Sequence, residues 1–130
     1  LVEAVLTLEG RQVTVTALLD TGNTLTDPAT NRPVMVAEGE KLTALFPPGK
    51  APPAAKLRNP VAAVEELSED LFRGRCRLLP YQAVGVECGM LLALRLDDVR
   101  VGTEDYGGIL VALSPTRISD GGGYSALIGA

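Results

Sequence analysis

One alternating segment near the start of the chain constrains the fold more than any other feature. Residues 12–18 place apolar side chains at every second position and include a run of β-branched residues. Such period-two alternation predicts a strand with one buried face. Residues 1–8 predict its partner, because Glu9 and Gly10 between the two segments favour a tight turn. The chain therefore begins with a β-hairpin whose second strand runs into Asp20.

Short apolar runs separated by turn residues continue along the rest of the chain. Five of the nine prolines lie between Pro47 and Pro60, which predicts an exposed loop without a helix or a central strand. The predicted helices cover residues 38–46 and 61–72. The further predicted strands cover residues 33–37, 75–79, 90–96, 99–103, 109–113 and 124–129. Without internal repeats or strand–helix–strand alternation, the sequence predicts a mostly β, largely antiparallel, barrel-like fold with one or two short helices and about seven or eight strands.

Composition and charge favour a single globular domain over residues 1–130. Apolar residues make up 46% of the chain, which is long enough to bury roughly two thirds of its unfolded surface. The net charge of −4 argues against a nucleic-acid partner. No apolar run reaches the roughly 18 residues of a membrane span, and no signal peptide is evident. Because the chain begins with Leu1 rather than methionine, we expect it to be excised from a longer protein that carries any anchor.

The absence of histidine narrows the chemistry that the chain can perform. It excludes Ser-His-Asp and Cys-His catalysis and every histidine-based metal site, and leaves carboxylates, lysine, tyrosine and cysteine as acid–base groups. Cys76 and Cys88 are too few for a disulfide framework or a four-cysteine zinc site. Two buried thiols are the favoured interpretation, and a hairpin disulfide is the alternative. We predict neither a metal ion nor a cofactor.

Two apolar residues, Leu18 and Leu19, run directly into Asp20-Thr21-Gly22. The tripeptide alone is a common turn sequence, since glycine allows a sharp turn and threonine can bond to neighbouring backbone. A carboxylate in such a loop at the end of a strand nevertheless resembles the active-site loop of aspartic peptidases. The absence of histidine favours that interpretation over an ordinary turn.

Catalysis by such a loop requires a second carboxylate. Two carboxyl groups a few ångströms apart share one proton, so that one activates water as a base while the other acts as an acid. The chain has only one Asp-Thr-Gly, and Asp27 is a poor partner because it precedes Pro28 in a nearby turn. The consistent solution is a two-fold homodimer with one Asp20 from each subunit.

Three blocks of sequence resemble the sporulation sigma-E factor-processing peptidases, a family of membrane-anchored, retropepsin-like aspartic peptidases. The first block is residues 19–28, which begin with Leu-Asp-Thr-Gly-Asn and end with Asp-Pro. The second comprises residues 79–85 and 89–92, and the third comprises residues 113–114 and 123–128. The blocks occur in the family's order and span most of the chain, whereas residues 38–75 match nothing in the family pattern.

The resemblance implies a retropepsin-like acid-protease β-barrel with Asp20 as its catalytic acid. Thr21, Gly22 and Asn23 would support the active-site loop, with Asn23 standing where many retroviral enzymes have alanine. The apolar-apolar-Gly element that packs beside this loop in retropepsins corresponds to Leu127, Ile128 and Gly129.

A retropepsin also requires a flap that closes over its substrate. The candidate is the hairpin around residues 79–89, with Pro80, Tyr81 and Gly85 in or near its tip and Tyr81 as a candidate substrate contact. The alternative is a plain β-turn that packs against the core.

The family also implies a cellular setting. The parent protein would span the membrane through its N-terminal half, and this soluble C-terminal part would lie at the cytoplasmic face, on the mother-cell side of the sporulation septum. As a homodimer it would remove the pro-segment of the sigma-E precursor after a signal protein acts from the forespore side.

The end of the chain departs from the retroviral pattern. Retroviral enzymes continue past the apolar-apolar-Gly element into a helix and a strand that build the dimer interface, whereas this chain stops at Ala130. An inactive monomer, in which no second Asp20 lies beside the first, is therefore the alternative for the isolated domain. A catalytically silent, retropepsin-like dimerisation or binding module is the alternative function.

Overall fold

The computed structural model describes residues 1–20, 25–69, 72–81, 89–119 and 121–129. In these residues nine strands form one sheet, which curls into half a barrel, and the only helices described are short. The strands are β1 (Val2–Leu8), β2 (Arg11–Leu19), β3 (Met35–Glu38), β4 (Cys76–Tyr81), β5 (Gly89–Arg95), β6 (Asp98–Val101), β7 (Glu104–Gly107), β8 (Leu110–Ser114) and β9 (Ala126–Ile128). A 3-10 helix covers Gly39–Leu45, and the α-helices are α1 (Ala54–Leu57) and α2 (Pro60–Glu69). The predicted mostly β class, compatible with a retropepsin-like barrel, is confirmed.

The strand order across the sheet is β4-β5-β8-β3-β9-β2-β1-β6-β7. Strands β2 and β9 are parallel, as are β3 and β8, whereas the other neighbouring pairs are antiparallel. Strand β9 is therefore inserted between β2 and β3, which follow each other along the chain. Because β3 is antiparallel to β9, it begins at the end of the sheet where β2 and β9 finish.

The predicted initial hairpin is confirmed. Strands β1 and β2 pair from Val2 with Ala17 to Leu8 with Arg11. Glu9 and Gly10 connect them with positive φ angles of 48° and 80°, as the twist of a two-residue hairpin turn requires. The alternation buries one face of the hairpin.

The sheet is covered on both faces at β5 and its neighbour β8. Leu92 and Leu94 belong to the main hydrophobic core, whereas Leu91 and Ala93 point to the opposite face. There they join what we call the small cluster, against which Leu25 and Val36 also pack. The small cluster consists of Val34, Leu79, Leu91, Ala93, Leu110 and Ala112. A strand buried on both faces has a continuous apolar sequence, and the prediction of a buried strand over residues 90–96 is confirmed.

The prediction that residues 47–60 carry no helix is wrong. Helix α1 covers Ala54–Leu57, directly after Pro53, and Pro60 is the first residue of α2. Proline is excluded from helix interiors but tolerated before and at the first helical position, where its missing N–H has no partner to lose. The helix predicted over 38–46 is a 3-10 helix.

The helix predicted over residues 61–72 corresponds to α2, which is described from Pro60 to Glu69. Ala63 and Leu67 are buried and Val64 packs against the main core, whereas Val61 is 50% exposed. The helix is short and starts at proline, so Val61 lies in its first turn on the solvent side.

Two strand predictions also need correction. Strand β7 lies in the interval between the predicted strands 99–103 and 109–113, which was assigned to no strand; β7 pairs with β6, which brings the described strands to nine. Pro80 and Tyr81, predicted as loop, belong to β4. Strand β4 lies at the edge of the sheet, where a proline removes no ladder hydrogen bond. In the described part of the chain, no helix is long and apolar enough to cross a membrane.

Candidate active site

Asp20 lies immediately after β2, beside the end of β9. The parallel pairing aligns Leu18 with Leu127 and Leu19 with Ile128. One step further, the Asp20 N–H donates a hydrogen bond of 2.9 Å to the Ile128 oxygen. Asp20 is half-buried, and so is Gly129, which follows β9. The structure thus places the strand that carries Asp20 next to the apolar-apolar-Gly element.

The strand order separates β2 from β3, which is the next strand along the chain. After Asp20 the chain must pass the end of β9 to reach β3, because β9 occupies the place between β2 and β3. Thr21, Gly22 and Asn23, the predicted loop residues, lie outside the described residues, as does Thr24. The chain is described again from Leu25, whose oxygen accepts a hydrogen bond of 3.1 Å from the Val34 N–H.

The candidate flap is described only at its base. Strands β4 and β5 form an antiparallel hairpin in which Tyr81 pairs with Gly89. Pro80 and Tyr81 are exposed at the far end of β4. Gly85 and the rest of the tip, residues 82–88, lie outside the described residues, so a flap stays a prediction.

Asp27 is the feature near Asp20 whose importance the sequence did not reveal. The residue is only 2% exposed. Its Oδ1 accepts hydrogen bonds from the Ala29 N–H at 2.9 Å and from Arg77 at 3.3 Å, and its Oδ2 accepts one from Arg95 at 3.3 Å. Its backbone oxygen also accepts bonds from the next turn, at 2.7 Å from the Asn31 N–H. The turn was predicted, but the buried ion pairs were not.

The environment keeps Asp27 ionised. Burial raises the pKa of Asp27, but the hydrogen bond from Ala29 and the charge of Arg77, together with further bonds, outweigh burial and hold the pKa below its ordinary value. A carboxylate that is charged and fully engaged is a poor partner for sharing a proton with Asp20. A signal for this role was present in the sequence, since Arg77 and Arg95 interrupt strands that are otherwise strongly apolar.

The carboxyl groups of the adjacent residues Asp97 and Asp98 form hydrogen bonds with other groups of the same chain. Asp97 accepts hydrogen bonds of 2.6 Å from the Glu9 N–H and from Arg75, and these hold its pKa below the ordinary value. Asp98 shares a hydrogen bond with Asp105, which raises the pKa of Asp98. Within the described ranges, no cluster of three or more acidic or cysteine side chains could hold a metal ion.

Cys76 is a free thiol, half-buried in β4. Burial raises its pKa to about 11, so the thiol is protonated at neutral pH. Strand β4 places Cys76 at the opposite end of the hairpin from Gly89. Cys88, the other thiol of the alternative disulfide, lies outside the described residues.

A groove of about 450 Å³ lies at the other end of β3 from Asp20. Its lining includes Glu38, whose Oε2 accepts a hydrogen bond of 3.1 Å from the Ile118 N–H, and the exposed Arg58 and Arg117. Glu38 is buried at the end of β3, where its own N–H bonds to Ser125. None of the residues predicted for the active site lines this groove.

Comparison with known proteins assigns the chain to a family. Residues 1–130 match the peptidase U4 family model, which is described as sporulation factor SpoIIGA. The sporulation sigma-E factor-processing peptidase of Bacillus subtilis is 35% identical over 121 residues, which cover 88% of this chain and 38% of that protein. The protein of the same name from Priestia megaterium is 28% identical over 132 residues, with coverages of 98% and 42%.

The chain thus spans about two fifths of the length of these relatives. No solved structure matches it. Since the family match covers every residue and the similarity to the Bacillus subtilis protein is independent of it, the chain belongs to the SpoIIGA family of sporulation peptidases.

Proposed function

We propose that this chain is an aspartic peptidase domain and that Asp20 is its catalytic acid. The observation that carries the proposal is the position of Asp20 at the end of β2, with its N–H bonded to the Ile128 oxygen of the inserted strand β9. The half-buried Asp20 thus lies at the ends of the interior strands β2 and β9, where the proposal has a second copy meet it. Membership of a peptidase family supports the same chemistry.

In the proposed mechanism, Asp20 of each of two subunits meets at a two-fold axis. Like charges this close share one proton, so one carboxylate removes a proton from water while the other donates to the oxygen of the scissile peptide. The water attacks the carbonyl carbon directly, so no covalent enzyme intermediate forms. When the C–N bond then breaks, the proton that was taken from water passes to the leaving nitrogen. Asp27 does not replace the second Asp20, because its carboxylate is bound to two arginines.

We further propose the substrate from the names of the relatives, which process sigma-E factor. The peptidase would cleave the precursor of sigma-E and release its pro-segment. The domain of residues 1–130 would act in a longer protein, anchored through a part outside this chain at the mother-cell face of the septum membrane. A signal protein from the forespore side would activate the homodimer. Thr21, Gly22 and Asn23 would support the loop, and Pro80, Tyr81 and Gly85 would belong to a flap.

The first test is precursor processing by the full-length protein that contains this chain. Asp20→Asn, which keeps the size of the side chain, should abolish cleavage because the amide cannot act as a base. Glu104→Gln removes an exposed carboxylate from β7 and should leave cleavage unchanged. Equal thermal unfolding of the two variants would exclude misfolding as the cause. Wild-type cleavage by Asp20→Asn would contradict the proposal, whereas an absence of cleavage by the wild type as well would favour the silent binding module.

A mixing experiment tests the shared site. When equal amounts of wild-type and Asp20→Asn subunits form dimers at random, mixed dimers are inactive, and activity falls to about half that of wild type at the same wild-type concentration. A peptidase that is active as a monomer would show no loss.

A further inference from the structure

The segment that follows Asp20 is anchored at both of its described ends. At its start, the Asp20 N–H is bonded to the Ile128 oxygen at 2.9 Å. At its end, Leu25 packs against the small cluster and bonds to Val34, and Asp27 is buried. Only residues 21–24 separate these anchors. Asp27 therefore follows Asp20 by only seven residues, so the two anchors are close to each other along the chain.

The second anchor joins three elements through one carboxylate. Each Asp27 oxygen faces a different strand of the β4–β5 hairpin, Oδ1 to Arg77 and Oδ2 to Arg95, both at 3.3 Å. We call these three residues the Asp27 cluster. Arg77 pairs with Ala93 in the ladder, so both arginines share the hairpin face that carries the small cluster. Arg95 also donates to the Gly108 oxygen at 3.0 Å, which holds the guanidinium in place.

We propose that Asp27, Arg77 and Arg95 are positioning residues for Asp20. The inference rests on the proposed function. The cluster fixes the segment that follows Asp20 against the base of the hairpin whose far end carries Pro80 and Tyr81. Neither strand can shift relative to that segment without breaking a bond to one oxygen of Asp27.

Loss of the Asp27 cluster should lower the rate of catalysis. A catalytic group must be held within about 0.5 Å of its productive position. A displacement of about 1 Å lowers the rate by about a hundredfold, even when its cause lies away from the reacting atoms. Substrate binding along the rest of the site would change much less, so kcat should fall and KM should stay nearly constant.

Arg75 provides a matched control on the same chain segment. It lies two residues before Arg77, and its side chain is 29% exposed against 39% for Arg77. It is bound to Asp97 at 2.6 Å and donates to the Arg95 backbone oxygen at 2.9 Å. Arg75→Gln therefore disturbs the same two strands without touching the Asp27 carboxylate.

The test compares Arg77→Gln with Arg75→Gln in the full-length protein, with sigma-E precursor as substrate and at a temperature where both variants are folded. Arg77→Gln should lower kcat by about ten- to a hundredfold with KM within about threefold. Arg75→Gln should stay within about threefold of wild type in both constants. Arg77→Lys should recover part of the loss, because it keeps the charge. The double variant Asp27→Asn with Arg77→Gln should be no slower than Asp27→Asn alone, because either substitution by itself already disrupts the Asp27 cluster.

A second readout does not depend on activity. Exchange of the Asp20 N–H, followed by NMR, should be faster in Arg77→Gln than in Arg75→Gln. Equal kcat values and equal exchange in the two variants, beside an inactive Asp20→Asn, would overturn the positioning role alone. Cleavage by Asp20→Asn would overturn the proposed function, and with it the catalytic purpose of the cluster.

Discussion

Replacing Asp27 with asparagine should destabilise the fold, and the loss should depend on pH. Asparagine has nearly the same size, and its oxygen can still accept the hydrogen bond from the Ala29 N–H. It loses the charge that binds Arg77 and Arg95. Because the Asp27 side chain is only 3% exposed, water cannot replace those bonds at the carboxylate.

The magnitude follows from the geometry of the two ion pairs. Both N–O distances are 3.3 Å, and the arginine side chains are 39% and 33% exposed. The distances are longer than those of strong charge-assisted bonds, and solvent partly screens the arginines. We therefore assign about 1 kcal/mol to each pair, or about 2 kcal/mol of unfolding free energy in total. For a chain of this size that corresponds to a fall in melting temperature of about 8 °C.

The pH dependence has a defined sign. The pKa of Asp27 in the folded chain lies below the ordinary value of 3.8. Its contribution is therefore complete above that value and is lost as the pH falls through the lower, folded-state pKa. The free-energy difference between the wild type and Asp27→Asn should be constant from about pH 7 to about pH 5 and should shrink once the pH falls below 3.8.

Urea unfolding of the 130-residue chain across this pH range measures the difference. Asp97→Asn is the control, because Asp97 also has two strong partners but its side chain is 39% exposed, so its loss should cost less than about 1 kcal/mol. The reasoning would be refuted if Asp27→Asn cost no more than Asp97→Asn near neutral pH. A cost that persists undiminished at about pH 3 would refute the assignment to charge.

Two further predictions concern packing and reactivity. A Cβ atom at Gly39 would overlap the Cδ1 atom of the buried Leu57, so Gly39→Ala should cost about 1–3 kcal/mol in urea unfolding. Gly121 has nothing within 4 Å of such an atom, so Gly121→Ala should be nearly neutral, and equal effects would contradict this packing. Burial raises the pKa of Cys76 to about 11, so the thiol should react slowly in the folded chain. In a Cys88→Ser variant near pH 8, Cys76 should react with a thiol reagent at least about tenfold more slowly in the folded chain than in urea. Equal rates would refute a buried thiol.

Local sequence patterns were sufficient for the elements whose side chains alternate or form one apolar run. Residues 12–18 predicted β2 because alternation buries every second side chain, and residues 90–96 predicted β5 because both of its faces are covered. Strand β7 was not predicted because it is a four-residue edge strand whose first two residues, Glu104 and Asp105, are exposed acids, so only Tyr106 carries an apolar signal. Helix α1 was not predicted, because the high proline content was taken to exclude a helix. Proline is nevertheless tolerated directly before a helix and at its first position.

The candidate site was predictable only in part. Asp20 could be singled out because its motif is contiguous and because the chain has no histidine. Asp27 could not be recognised as a buried anchor, since its partners Arg77 and Arg95 lie 50 and 68 residues away in sequence. A short-range pattern contains no information about which distant charges will meet.

By itself, the sequence determined that the chain is a β domain, that a hairpin leads into Asp20, and that no histidine is available as an acid–base group. These properties depend on side-chain periodicity and composition, which neighbouring residues express regardless of the rest of the fold. Only the tertiary structure decided that β9 lies between β2 and β3, that the Asp20 N–H bonds to Ile128, and that Asp27 joins the following segment to the β4–β5 hairpin. Each of these depends on contacts between residues far apart in the chain, whose formation is set by how the whole sheet packs.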